Sequence, residues 1–250
     1  MSTLTNDQFI VHLPKSASTD LQQDQEYFEL EQGGQRRRLR FHDYGEIYSV
    51  PGLYEHLFED KMQCRSPEVI ADLLHKTLEE KKQNASDLRV LDFGAGNGMV
   101  GEELARIGVE HLVGVDMAPE AKDAVERDRP GLYEGYHAID ITKPGPDAEA
   151  ALKAAKFNCL VCVAALGFGD IPPEAFTAAL NLVSDDGWVA FNIRDHVAAS
   201  DDPGGFAPLL EELKEKGQLV EHARVKYPHR VGLSGEELEY WAIVAQKQAV

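Results

Sequence analysis

The sequence predicts an α/β protein: a doubly wound, mainly parallel sheet of seven strands with a final antiparallel hairpin and an N-terminal helical cap. Three observations carry this expectation. Between about residues 88 and 217, short apolar runs alternate with helical periodicity, as in successive βα units. One of these runs, "FNCLVCVAAL", is apolar almost throughout, as a strand buried on both faces must be. After Gly217 the alternation stops, and two strand-like runs follow with only the turn-rich "PHRVGLSGEE" between them.

In chain order, residues 1–40 are polar, with scattered Ser, Gln and Asp, and leave room for flexibility. Their "GGQRRRLR" run reads as a solvated segment, a partner for acidic neighbours or part of a lid. Residues 41–250 read as one domain, with 41–85 as the cap and 86–250 as the core. In the cap, "SPEVIADLLHKTLEEKKQ" predicts a helix with Ser66 as N-cap, Pro67 in its first turn and Val69, Ile70, Leu73, Leu74 and Leu78 on one apolar stripe. The core strands are expected at 88–94, 111–117, 133–141, 157–166 and 188–195, then 219–227 and 238–247. Helices are expected at 99–107, closed by Gly108, and at 119–128, 147–155, 172–183 and 205–216. In such a sheet a ligand sits outside the carboxyl ends of the strands, at the switch point.

The chain has 250 residues, 43% of them hydrophobic, which suffices for one domain with a sizeable core. Its 43 acidic residues outnumber 25 basic ones, for a net charge of -18. Such a chain repels phosphate backbones, so no nucleic-acid partner is expected and a cationic or small neutral substrate suits it better. The 3 cysteines argue for a reducing compartment. Cys159 and Cys162 lie in a predicted strand, where residues three apart face opposite ways, so no metal site is expected. The N-terminus lacks the pattern of a signal peptide, and no stretch approaches the ~18 apolar residues of a membrane span. A cytoplasmic protein without a membrane partner is the expectation.

The stretch "VLDFGAGNGMVG" predicts a glycine loop between a strand and a helix, and Gly96, Gly98 and Gly101 satisfy the G-x-G-x-x-G spacing of dinucleotide binders. Asp92 lies two residues before Gly94. Placed at the mouth of the loop, a carboxylate about 5 Å from a diphosphate costs roughly 3 kcal/mol per charge pair at an effective dielectric near 20. The same charge suits S-adenosylmethionine, which carries an ammonium and a sulfonium and no phosphate. Asp116, at the end of the second strand, can accept from ribose hydroxyls, with Met117 against the adenine. Asp140, at the end of the third, can accept from the adenine amino group, with Ile141 against the ring. Singly, each acid is also an ordinary turn or capping residue.

Together, "VLDFGAGNG", "LVGVDMAPE", "YHAIDI", "FNCLVCVAALGFGDI" and "LVSDDGWVAFNI" resemble the successive motifs of class I S-adenosylmethionine-dependent methyltransferases, whose sheet is Rossmann-like and seven-stranded. Upstream, "FHDYGEIYSVPGLYEHLFEDKMQCRSPEVI" is similar to the methyltransferase-like group named for the Williams–Beuren region. The resemblance implies a cofactor site of Gly94, Ala95, Gly96 and Asn97 with Asp116, Met117, Asp140, Ile141, Val163 and Ala164. It adds Tyr44 and Tyr48 as lining and Arg65 for the methionine carboxylate.

After the fourth strand the chain reads "VAALGFGDIPPEAF" in place of the Asn/Asp-Pro-Pro-aromatic motif of enzymes acting on amide or base nitrogens. Pro172 and Pro173 begin a helix instead, and Ala164, Ala165 and Leu166 supply no acid for aminopropyl transfer. A small-molecule acceptor is therefore expected. No clear general base is present; Asp195 and His196 are the candidates after the fifth strand, with Asp170 and His229 less specific. A non-catalytic binder of the cofactor or of a protein partner, and an NAD-dependent oxidoreductase, stay open as alternatives. The acceptor and the oligomeric state have no signal in the sequence.

Overall fold

The structure, a computed structural model, describes residues 9–14, 25–166, 171–195 and 205–249. It opens with three antiparallel strands, β1 (Ile10–His12), β2 (Tyr27–Gln32) and β3 (Gln35–Arg40), in the order β1-β2-β3. The stretch expected to be flexible holds a sheet, which packs its apolar face on the helices of residues 41–62 and so extends the cap towards the N-terminus. Gly33 and Gly34, at φ 60° and 78°, form the two-residue turn that twists as the strands require. Phe28, Leu30 and Leu39 face inward and are buried. The arginine run is strand β3, its charges turned to solvent: Arg36 pairs with Glu29 and Glu31, and Arg37 with Glu46. Those exposed charges conceal the two-residue apolar alternation in the sequence.

Two short helices follow, α1 (Tyr44–Tyr48) and α2 (Leu53–Glu55), the latter running into a π-helical turn at His56–Lys61. The long helix α3 (Ser66–Glu80) buries Ile70, Leu74 and Leu78 of the expected stripe, with Val69 and Leu73 partly buried at its margin. Its N-cap position falls on Arg65, however, and no side chain caps it. Ser66 turns inward instead, to Tyr227, His229 and Asn192. Several buried polar partners outweigh one backbone N–H that water can satisfy.

The core then alternates β4 (Arg89–Phe93), α4 (Met99–Arg106), β5 (His111–Asp116), α5 (Pro119–Asp128), β6 (Gly135–Ala138) and α6 (Pro146–Ala155). It continues with β7 (Cys159–Cys162), α7 (Pro173–Asn181), β8 (Trp188–Arg194), α8 (Phe206–Glu215), β9 (Leu219–Val231) and β10 (Glu237–Lys247). The seven strands form one sheet, β6-β5-β4-β7-β8-β10-β9. β4 to β8 pair in parallel, and β10 runs antiparallel to both β8 and β9. Pro228 is tolerated in β9 because that strand is an edge. The order reverses between β4 and β7, which opens the crevice. Each sheet face has its own apolar layer: Leu91, Cys162 and Phe191 on one side, Val90, Cys159 and Ala190 on the other. Cys159 and Cys162 therefore point apart, as the strand period requires.

Candidate functional site

The carboxyl ends of β4, β5, β6 and β7 open onto a cavity of about 470 Å³. Phe93 and Gly94 line it after β4, Asp116 to Ala118 after β5, Ile139 to Lys143 after β6, and Val163 to Ala165 after β7. The cap closes one side with Tyr44, Tyr48 and Tyr54, and Pro172 and Glu174 come from the start of α7. A smaller cavity of about 40 Å³ shares Tyr48, Gly94, Val163 and Ala164 with it and reaches Ala95, Gly96 and Asn97. Of the sequence candidates, these two cavities bring together Tyr44, Tyr48, Gly94, Ala95, Gly96, Asn97, Asp116, Met117, Asp140, Ile141, Val163 and Ala164.

The glycine loop is tied to its own neighbours. Gly94 and Ala95 both donate their N–H to Val115 O, at 2.8 and 3.1 Å. The Gly96 N–H reaches Asp116 Oδ2 at 2.9 Å, and that of Gly98 reaches Ala95 O at 3.0 Å. Tyr136 OH donates to Gly96 O at 2.6 Å. Asn97 is pinned from the cap: its Nδ2 donates to Glu55 Oε1 at 2.7 Å, and Arg129 bridges Glu55 and Asn97 O. Asp116 Oδ1 also accepts from Ala118 N at 2.9 Å, so it ties the loop to the entry of α5. Burial pushes the Asp116 carboxyl above its ordinary value, and its backbone donors pull it back.

Asp92 is not where the sequence puts it. It is 1% exposed and lines neither cavity. On β4 it shares a face with Val90, which packs into the layer under α3 and α4. Its Oδ2 accepts from Tyr133 OH at 2.6 Å, and its Oδ1 has no partner among the described residues. Burial pushes its carboxyl up to about 7, against the pull of the Tyr133 bond. Asp92 therefore places no charge at the loop mouth.

Arg65 is corrected likewise. Its side chain is 59% exposed, lies 3.8 Å from Glu68 and lines neither cavity. At the start of a helix, residues three apart stand on the same outer face, and Arg65 turns to Glu68 there. Asp195 also turns away: Trp241 Nε1 donates to its Oδ1 at 2.7 Å, and Lys226 pairs with its Oδ2 at 2.8 Å. It lines neither cavity, so it is not placed as a base. His196 and Asp170 lie outside the described residues. His229 is buried against Ser66 and Tyr240, and burial holds its imidazole down near 3, hence neutral. Asp140 lines the cavity but spends Oδ1 on Thr142, whose hydroxyl and N–H hold its carboxyl below the ordinary range.

Sequence reasoning missed Tyr54, Glu174 and Lys143 as lining residues. Tyr54 sits in the aromatic stretch already singled out, and its ring packs on that of Tyr48 at 5.0 Å between centroids. Burial raises the Tyr48 and Tyr54 hydroxyls, so both stay protonated.

A sheet in this order, with a glycine loop after its first parallel strand and cavity acids after the next two, defines a Rossmann-like α/β protein whose ligand site lies at the switch point. Within that class, residues 60–243 match the model of the methyltransferase domain family, and the chain belongs to that family. It is 31% identical over 103 residues to a ubiquinone biosynthesis O-methyltransferase of Paraburkholderia phytofirmans, covering 41% of this chain and 43% of that protein. The chain thus aligns with less than half the length of that relative. In fold it is similar to the N-methyltransferase NodS of Bradyrhizobium japonicum in complex with S-adenosyl-L-homocysteine (TM-score 0.55, 16% identity, 84% of this chain and 98% of that one). It is also similar to an S-adenosylmethionine-dependent methyltransferase of Clostridium acetobutylicum (TM-score 0.54, 14% identity, 79% and 97%). Among the described residues no helix is long and apolar enough to cross a membrane.

Proposed function

We propose that the protein is an S-adenosylmethionine-dependent methyltransferase acting on a small molecule. One observation carries this beyond family membership: the N–H groups of Gly94, Ala95, Gly96 and Gly98 are all spent inside the protein, one of them on the Asp116 carboxylate. A diphosphate needs such groups free and no carboxylate among them. A phosphate-free adenosyl ligand needs neither, so the donor set suits S-adenosylmethionine and disfavours NAD. Bound in the cavity, that cofactor would supply a methyl group activated by its sulfonium.

The chain's own residues then have these parts. Asp116 Oδ2 accepts from Gly96 N and Oδ1 from Ala118 N, and the carboxylate lines the cavity, where it can accept from a ribose hydroxyl. Asp140 Oδ2 is available for the adenine amino group, with Met117 and Ile141 beside the ring. Val163 and Ala164 flank the cofactor, and Tyr44, Tyr48 and Tyr54 exclude water from the reacting end. The chemistry asks mainly for alignment, which agrees with a cavity whose phenols are held protonated. With Asp116 and Asp140 given to the cofactor, Glu174 is the further carboxylate that lines the cavity among the described residues, and it can deprotonate an acceptor. The partial match to O-methyltransferases of ubiquinone biosynthesis supports a small-molecule acceptor. Three unpaired cysteines support a cytoplasmic location.

Titration calorimetry with S-adenosylhomocysteine tests the cofactor assignment. Micromolar binding is expected. Asp116→Ala is expected to weaken it at least tenfold, the worth of a charge-assisted hydrogen bond of about 1.5–3 kcal/mol. Binding of NAD in its place would overturn the assignment. Mass detection of methylated products against a metabolite panel then separates an enzyme from a binder.

A further inference from the structure

Ala164 faces the cavity with its backbone in the left-handed region, at φ 56°. Alanine seldom sits there, because its Cβ crowds the following carbonyl. The residue is the second after the end of β7, and with Val163 it forms wall common to both cavities. Its N–H donates to Asn192 Oδ1 at 2.7 Å.

Asn192 lies on the neighbouring strand β8 and is 0% exposed. Its Nδ2 donates to Ser66 Oγ at 3.0 Å and to Tyr227 OH at 2.8 Å. Those two hydroxyls are 2.6 Å apart, and Ser66 Oγ lies 2.5 Å from His229 Nδ1. The start of α3 and strand β9 thus fix the amide from behind. With both amide hydrogens committed, Oδ1 is the atom that must face Ala164. Ser66 beside His229 has the composition of a nucleophile and its base, yet the pair is 0% and 5% exposed and lines neither cavity. The cluster is scaffolding.

We infer that Asn192 is a positioning residue: its amide carbonyl, aimed by Ser66 and Tyr227, holds Ala164 in the left-handed turn that shapes the cavity wall. The assignment of that wall to the cofactor rests on the function proposed above. The clamp itself does not, and amide exchange reads it without any ligand.

In the unmodified protein the Ala164 amide is expected to exchange far more slowly than its exposure suggests, and fast exchange would overturn the clamp. In Asn192→Ala the amide is expected to lose that protection, while S-adenosylhomocysteine affinity drops about tenfold, because binding must restore the left-handed turn. Asn192→Ala/Ala164→Gly is expected to regain affinity to within about threefold of the parent, since glycine adopts positive φ freely. Its Tm should stay as low as that of Asn192→Ala. A general packing role predicts instead that affinity and Tm fall together and that glycine restores neither. If Asn192→Ala does not fold, the exchange of Ala164 in the unmodified protein still decides. If the unmodified protein protects Ala164 but binds no S-adenosylhomocysteine, the proposed function fails and the clamp stands.

Discussion

Asp92 shows how burial changes what one carboxyl does. Its ordinary value of 3.8 rises to about 7 in the folded protein. Between those values the folded state holds a proton that the unfolded state has released. Its stabilising contribution is therefore full below pH 3.8 and disappears as pH rises towards 7, at up to about 1.4 kcal/mol per pH unit. Asp92→Asn, which carries no charge, is expected to have a higher Tm than the parent at pH 8, with the difference shrinking towards pH 5. A difference independent of pH would contradict the shift. Arg65 gives the opposite case. Its pair with Glu68 is exposed, and such pairs contribute about 0–1 kcal/mol. Arg65→Ala is expected to leave S-adenosylhomocysteine affinity within about twofold; a tenfold loss by calorimetry would return the residue to the site. Asp92 is legible as a charge beside the glycine loop, and Arg65 enters the site only through the family resemblance. Their directions are not legible, because β4 turns Asp92 under the sheet and Arg65 stands outside the first turn of α3.

At the scale of elements, the glycine loop and α4 act as one unit with Tyr133. A Cβ on Gly101 would overlap Tyr133 OH, the group that donates to Asp92. Gly101→Ala is therefore expected to cost about 1–3 kcal/mol in urea unfolding and to displace Tyr133. The third glycine of G-x-G-x-x-G here makes room for a phenol and not for a ligand. The core elements fall where their periodicity puts them, but two strands are shorter than expected: β6 ends at Ala138 and β7 at Cys162. The apolar run continues in Ile139, Ile141 and Val163 because these residues line the cavity. Hydrophobicity therefore outlasts the hydrogen-bond ladder. In the N-terminal sheet the reverse holds, since the exposed arginines of β3 mask a strand.

Across the whole molecule, the cap and the closing hairpin are joined by a buried ion pair between Glu26 and Arg230, which are 7% and 3% exposed. Glu26 Oε1 also accepts from Leu233 N at 2.9 Å, and the Arg230 guanidinium lies 5.4 Å from the Phe41 ring. Glu26→Ala leaves that guanidinium without its carboxylate. A loss of about 3–5 kcal/mol in urea unfolding is expected. A loss below about 1 kcal/mol would mean that the cap is held by its apolar contacts alone. Because α1 and α2 carry the tyrosine wall of the cavity, cofactor affinity should fall with the cap.

Periodicity and turn chemistry by themselves determined the βα alternation, the closing hairpin, the glycine loop and the acids after β5 and β6. These are local properties: each depends on residues within one element and its cap. Only the tertiary structure decided that Asp92 lies under the sheet, that Arg65 and Asp195 face away, and that Asn192 reaches Ala164. Those facts depend on which face of an element meets which neighbour. The partners of Asn192 come from residues 66, 164 and 227, whose proximity no sequence spacing encodes.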